Sequence, residues 1–164
     1  MRRDRIVSEL GRVMLFLLLC RMAVAGEVTL AVRVSPDPTG KYPHSRLYAA
    51  VLANSTRSVV ALTAVQMPGG YVGSGTFFKC SIEQWDPSGK VWRIIHRVNL
   101  ESYLATNSKT IRVESGQSKE VCREMLPGDI SQVGSRLRFR LDSSWKPDAQ
   151  TWVSPTFSLV ADHK

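Results

Sequence analysis

The chain has 164 residues and a formal net charge of +8 at pH 7, from 22 Lys and Arg against 14 Asp and Glu. A chain of this length can build one hydrophobic core and is short for two, so we predict a single domain. Residues 1–25 carry five Arg against two acidic residues, or +3 of the +8, which leaves +5 on the rest. A charge of that size favours solubility and does not indicate nucleic-acid binding.

The first 25 residues have the pattern of a secretory signal peptide. Four arginines precede an apolar run at 13–20, and an Ala-Val-Ala site ends at Ala25. This order predicts cleavage after Ala25, and the run is too short to span a bilayer. The predicted mature chain is therefore 26–164, secreted or periplasmic and without a transmembrane segment. Two other interpretations stay open: lipidation of Cys20, which would attach the chain to the cell surface, and twin-arginine export.

Removal of the leader leaves two cysteines, Cys80 and Cys122. An even pair in an exported chain predicts a disulfide, because exported proteins mature in an oxidising compartment. The loop that it closes spans about 42 residues and would stabilise the fold by roughly 4 kcal/mol in the chain-entropy model. The alternative is a pair of unbonded, buried thiols.

After residue 26 the apolar residues recur with a period of two, in runs separated by segments rich in Gly, Pro, Asn and Asp. These runs are VTLAVRV (28–34), LYAAVLAN (47–54), SVVALTAV (58–65), TFFKCSIEQW (76–85), KVWRIIHRV (90–98), KTIRVE (109–114), RLRFRLD (136–142) and WVSPTFSLV (152–160). No window keeps helical spacing for three turns, and 98–105 is predicted as a short connector. The pattern predicts an all-β fold, an antiparallel immunoglobulin-like β-sandwich of seven to eight strands.

The stretch EQWDPSGKVWR (83–93) predicts a hairpin. Its Pro-Ser-Gly tip suits a type I turn with a bulge, with Gly89 in the left-handed conformation and Asp86 opposite Lys90. This register puts Trp92 on the core face and Trp85 on the opposite face, so the two rings cannot contact one ligand together. The core face then carries Ile82 opposite Ile94 and Cys80 opposite His96, and the other face carries Lys79, Glu83, Arg93 and Arg97.

Catalytic and metal chemistry has little support in the sequence. The three histidines, His44, His96 and His163, stand in no nucleophile-elbow pattern, and no pair of cysteines or histidines has zinc spacing. There is no calcium loop and no phosphate loop. We therefore predict no catalytic residue, no metal and no cofactor. One minor hypothesis, a small hydrolase that uses Cys80 and His96, requires an unbonded Cys80.

Two segments are candidates for a binding surface. RLRFRL places Arg136, Arg138 and Arg140 in an outward row about 13 Å long, with three apolar residues inward. The loop 67–75 has Tyr71 near its tip. Such surfaces would meet a protein partner or an anionic surface of the cell envelope. The alternatives are a solvated strand whose like charges discourage edge pairing, and a plain connecting loop.

The tripeptide Asn54-Ser55-Thr56 fits a glycosylation acceptor. Its place in a predicted turn predicts an accessible Asn54 side chain. The alternative is a tight turn without a glycan.

The order LYAAVLANSTRSVVAL, FKCSIEQWDPSGKVWR and TIRVESGQS, within 47–118, resembles bacterial immunoglobulin-like domains, including the intracellular proteinase inhibitor family. In that pattern a strand ends in Asn and a polar turn, a hairpin carries Asp-x-x-Gly-Lys-x-Val-Trp-Arg, and a later strand runs into a Gly-containing turn. The resemblance implies the fold and carries over no reactive-site residue. That family is intracellular and is not tied to a disulfide, whereas this chain has the pattern of an exported one.

Taken together, these features predict an exported, non-catalytic binding or assembly module of the periplasm or cell surface. The alternative function is that of a proteinase inhibitor that presents a loop to an enzyme. The candidate contact residues are Arg136, Arg138, Arg140, Tyr71 and Trp85.

Overall fold

The computed structural model describes residues 26–36, 46–68, 74–97, 100, 103–126 and 135–159. The predicted signal peptide with Cys20 lies outside the described residues, as do Tyr71, His44 and His163. What the sequence predicts for these positions stays a prediction.

Nine strands and one short helix form within the described part of the chain. They are β1 (Val28–Pro36), β2 (Arg46–Asn54), β3 (Val60–Pro68), β4 (Ser74–Asp86), β5 (Val91–Arg97), α1 (Leu104–Asn107), β6 (Ser108–Val113), β7 (Ser118–Leu126), β8 (Leu137–Asp142) and β9 (Thr151–Val153). Every strand pair within the described residues is antiparallel. The prediction of an all-β, antiparallel fold is confirmed.

The strands form two sheets. One has the order β1-β2-β7, and the other has the order β6-β3-β4-β8-β9, with β5 paired to β4. β4 has three neighbours: β3 pairs with its first part, and both β8 and β5 pair with its second part. β3 and the end of β8 meet where the amide of Thr63 donates to the carbonyl of Ser143 at 2.8 Å. The second part of β4 is therefore flanked by strands on both sides.

The two sheets enclose one hydrophobic core. Both sheets contribute buried side chains, among them Leu30, Ala50 and Leu52 from the first sheet and Leu62, Ile82 and Phe139 from the second. Leu137, Phe139 and Leu141 are fully buried, as the alternation in RLRFRL predicts. A disulfide joins Cys80 on β4 to Cys122 on β7, with the two Cα atoms 6.0 Å apart. The predicted disulfide is confirmed, and it ties one sheet to the other.

β7 is a strand that the alternation of apolar residues does not reveal. Four of its nine residues are charged, and its pairing with β2 shifts between Ala50 and Val51. Val121 is the extra residue at this shift, so both Val121 and its neighbour Cys122 pack against the core. An extra residue of this kind interrupts the period of two that marks a strand in a sequence.

The predicted last strand at 152–160 is shorter in the structure. β9 ends at Val153, and one isolated bridge pairs Leu137 with Phe157. Pro155 lies between the two paired segments and has no amide to donate, so a continuous ladder is interrupted there.

A second apolar cluster covers the outer side of the six-stranded sheet over β3 and the start of β4. Its buried members are Val65, Met67 and Leu100, and half-buried Phe77, Leu104 and Trp145 pack against them. This cluster covers the first part of β4, and the outer face of the second part lies beyond it.

Asn54, the predicted glycosylation acceptor, is buried, with 1% of its surface exposed. Its Nδ2 donates to the carbonyls of Ser58 and Val113, both at 2.8 Å. Its Oδ1 accepts hydrogen bonds from the amide and the hydroxyl of Thr56. The prediction of an accessible side chain is wrong, because this carboxamide links the end of β2 to β6 of the other sheet.

We expect Asn54→Asp to lower the free energy of unfolding by about 3 kcal/mol, because a carboxylate oxygen would face two carbonyl oxygens that have lost their donor. Urea unfolding measures the loss. Asn107→Asp, at the end of α1, is the matched control and should change stability little. Equal effects of the two substitutions would contradict the role of Asn54.

Candidate functional site

The turn between β4 and β5 is built around the carboxylate of Asp86. Its Oδ1 accepts hydrogen bonds from the amide and hydroxyl of Ser88, at 2.9 and 2.5 Å, and from the amide of Gly89 at 3.3 Å. Its Oδ2 lies 2.6 Å from a guanidinium nitrogen of Arg93. The hydroxyl of Ser88, followed by the amide of Gly89, lowers the pKa of Asp86 to about 2.

The left-handed residue of this turn is Lys90, with a φ of 49°, where the sequence predicts Gly89. The turn has four residues, 87–90, and Asp86 pairs with Val91. The predicted pairing of Asp86 with Lys90 is therefore wrong by one residue. The physical reason is the carboxylate of Asp86, which accepts hydrogen bonds from the amides of Ser88 and Gly89. These bonds hold Ser88 and Gly89 in the turn, so the left-handed residue is the next one, Lys90.

This register brings the two tryptophans together. Trp85 pairs directly with Trp92, and their ring centroids are 5.4 Å apart with the planes inclined at 58°. Both side chains are half-buried on the outer face of the sheet, opposite the face through which Ile82 enters the core. The prediction that Trp92 faces the core is wrong. The conclusion that the two rings cannot contact one ligand is also wrong.

The rest of β5 also departs from the predicted pairing. Glu83 pairs with Ile94 and Ile82 pairs with His96, so Ile95 is an extra residue at a bulge. Ile94, which the predicted register places in the core, is exposed. β4 keeps its own alternation throughout, so the shift leaves Lys79 on the outer face. Only β5 has moved, and it can do so because it contributes little to the core.

The arginine row consists of Arg136, just before β8, and of Arg138 and Arg140 on β8. It points outward as predicted, but its members differ in their partners. The side chain of Glu83 on the neighbouring β4 is 4% exposed, and its Oε2 lies 2.7 Å from Nε of Arg138. Nη1 of Arg140 lies 3.7 Å from the other oxygen of this carboxylate. A buried carboxylate requires such partners, because an unpaired charge in this environment is costly.

A second carboxylate, that of Asp142, holds the far end of the row. It accepts a hydrogen bond from Thr151 at 2.7 Å and lies 3.1 Å from both Lys79 and Arg140. Burial acts to raise the pKa of Asp142, but the hydrogen bonds from Thr151, Lys79 and Arg140 outweigh it and keep the pKa below its ordinary value. Arg140 is therefore shared between two acidic side chains.

Arg136 differs from the other two arginines of the row. It is exposed, and it has no ion pair within the described residues. Its guanidinium carbon lies 5.7 Å from the ring centroid of Trp85 and 6.0 Å from that of Trp92. The guanidinium of Arg138 lies over Trp92 at 4.1 Å. We call these four side chains, with Glu83 beneath them, the tryptophan-arginine face.

This arrangement is suited to binding an anion. An arginine held near aromatic rings keeps its charge and its planar set of donors, which match a carboxylate. The rings restrict where the guanidinium can lie and add apolar contact area around it. Of the predicted contact residues, Trp85, Arg136, Arg138 and Arg140 come together here. Trp92 and Glu83 were not among them, because the predicted register separates the two rings and leaves Glu83 exposed.

The pairing of cysteines bears on the hydrolase hypothesis. Cys80 is bonded to Cys122, so the free thiol that this hypothesis requires is not present in the structure. His96 lies on the edge strand β5, and its Nε2 is 3.0 Å from Oε1 of Glu124 on β7. In the parts of the chain that the structure describes, no group of three or more His, Cys, Asp or Glu side chains could hold a metal ion.

No family model and no curated protein matches this sequence. The resemblance to immunoglobulin-like domains therefore stays a prediction, and the function has to be argued from the chemistry of the tryptophan-arginine face. Within the described ranges, no helix is long and apolar enough to cross a membrane.

We expect the carboxyl carbon of Asp86 to titrate with a pKa of about 2 in an NMR pH series. Because the folded-state pKa is lowered, the contribution of Asp86 to stability is present above its ordinary pKa of 3.8 and is lost as the pH falls through about 2. Ser88→Ala removes the largest cause and should move the pKa upward. Titration of the wild-type group at its ordinary value would contradict the turn described above.

Arg136, which precedes β8, and Arg138 and Arg140 on β8 should differ in their contribution to stability. Arg138 is 22% exposed and bonded to Glu83, and Arg140 is 41% exposed and farther from it. We expect the free energy of unfolding to fall by about 2 kcal/mol for Arg138→Ala and by about 1 kcal/mol for Arg140→Ala, because each substitution removes a cationic partner of the buried Glu83 carboxylate. Arg136→Ala should cost about 0.5 kcal/mol or less. Urea unfolding gives the three values, and three equal losses would contradict this order.

Proposed function

We propose that this chain is an exported, non-catalytic binding or assembly module that recognises an acidic protein partner through the tryptophan-arginine face. The observation that carries the proposal is Arg136, an exposed guanidinium placed beside two aromatic rings and without a carboxylate partner within the described residues. Aromatic residues and arginine are the residue types most enriched at the energetic centres of protein interfaces.

The composition of the surface around this face favours a protein over an anionic polymer. Ile94 pairs with Glu83 on the outer face, and Val153 pairs with Arg140 on the same side; both are exposed. Apolar side chains next to arginine and tryptophan give a partly desolvated interface, in which a carboxylate of the partner would bind more strongly than on an open cationic strand.

Export is supported by two independent features. The disulfide joins the two sheets, and such bonds persist in oxidising compartments. The arginine-rich leader and the Ala-Val-Ala site are typical of a secreted or periplasmic precursor. The immunoglobulin-like assignment is part of this proposal, and two packed antiparallel sheets with a disulfide between them are compatible with it.

The test is a binding experiment in which only the charge of Arg136 changes. The purified protein is immobilised and exposed to cell-envelope extract of the source organism, and the bound proteins are quantified by mass spectrometry. Arg136→Glu should reduce recovery of acidic partners about tenfold or more, because it puts a like charge in place of the cation. Replacement of all three arginines would be less informative, because two of them hold the buried Glu83.

Arg33→Glu is the matched control for this experiment, since Arg33 is an exposed arginine on β1 of the other sheet. It makes the same change in net charge at a distant place. The wild type and the Arg33→Glu variant should recover the same acidic proteins. Equal recovery by all three proteins would contradict the proposed function.

A further inference from the structure

β5 is an edge strand with an apolar surface. Among the described residues it pairs only with β4, and every one of its residues except Trp92 is exposed. It carries three of the exposed large apolar side chains in the described part of the chain: Val91, Ile94 and Ile95. In an antiparallel edge strand, alternate residues direct their amide and carbonyl groups away from the sheet, where another strand can pair with them.

The charges of β5 select against a second copy of this chain. From Pro87 to Arg97 there are two arginines and one lysine, and there is no acidic residue. Arg93 is paired with Asp86, whereas Lys90 and Arg97 have no ion pair within the described residues. Pairing of two β5 strands would bring these like charges together. A strand with carboxylates would instead be attracted.

We infer that β5 accepts an acidic, extended segment of a partner protein as an added strand. This inference rests on the proposed function and assigns the form in which the acidic partner binds. Trp92 and Ile94 lie on the outer face of β5, and Arg97 pairs with Ser81 on that side. Alternate side chains of the added strand would therefore lie over the border of the tryptophan-arginine face, with an acidic residue opposite Arg97.

The open backbone groups of β5 favour a peptide over a lipid surface. Cationic and apolar side chains together are also compatible with anionic membranes. A lipid tail, however, cannot hydrogen-bond to the amides and carbonyls of an exposed edge, and their burial in hydrocarbon would be costly. An added strand satisfies the same groups.

The inference is tested by NMR on the full, isotope-labelled protein with defined probes. One probe is a peptide of about ten residues that alternates Val or Thr with Glu, and a second has Lys in place of each Glu. The acidic peptide should shift and protect the amides of 91–97 and bind about tenfold tighter than the basic one. Vesicles that contain an anionic phospholipid are the third probe and should not reproduce these shifts.

Edge variants supply the controls. Ile94→Glu and Ile95→Glu should weaken binding of the acidic peptide about tenfold, because they place anionic, hydrated side chains beside the carboxylates of the added strand. Val34→Glu, on β1 of the other sheet, is the matched control: Val34 is 52% exposed, against 50% for Ile94, and its substitution should leave binding unchanged.

Two kinds of result would overturn the inference. The first is the absence of shifts on β5 at about 1 mM acidic peptide, or the same affinity for both peptides. The second is vesicle binding that depends on Ile94 while the acidic peptide does not bind.

The same experiment separates the strand addition from the proposed function. If Arg136→Glu weakens binding of the acidic peptide but the amides of 91–97 do not respond to the peptide, the strand addition fails and the proposed function stands. If Arg136→Glu also has no effect, both fail.

Discussion

The pairing of Glu83 with arginines of β8 is the interaction on which the candidate site depends. Glu83 stands on the outer face of β4, where strands on both sides leave its side chain 4% exposed. Its carboxylate needs cationic partners there, and the adjacent strand supplies Arg138 and Arg140. Arg138 is thereby held over Trp92, at 4.1 Å. Two arginines are engaged by carboxylates, and the remaining one, Arg136, has no ion pair within the described residues.

The turn of the β4 and β5 hairpin completes the face. The carboxylate of Asp86 holds Ser88 and Gly89, and the chain returns through a left-handed Lys90. One more residue in the turn changes which side chain of β5 lies beside Trp85. With the register found here, that side chain is Trp92, and the aromatic pair stands next to the arginines.

Much of the architecture was predictable from the sequence, and the site was predictable only in part. Alternation of apolar residues identified the strands that face the core, and the cysteine count identified the disulfide, because both depend on burial and compartment. β7 was missed since the extra residue Val121 interrupts its alternation. The register of the hairpin depends on which amides the Asp86 carboxylate binds, and local turn statistics do not decide this. The burial of Asn54 and Glu83 depends on strands distant in sequence, so no local pattern reveals it.

The proposed binding face, in which Arg136 stands beside both Trp85 and Trp92, requires that the two rings be neighbours. The most direct measurement is a set of cross-strand nuclear Overhauser effects between backbone protons of β4 and β5 in the oxidised protein. The register described here predicts contacts between Trp85 and Trp92 and between Asp86 and Val91. Contacts between Gln84 and Trp92 and between Trp85 and Val91 would place the rings on opposite faces and contradict the account.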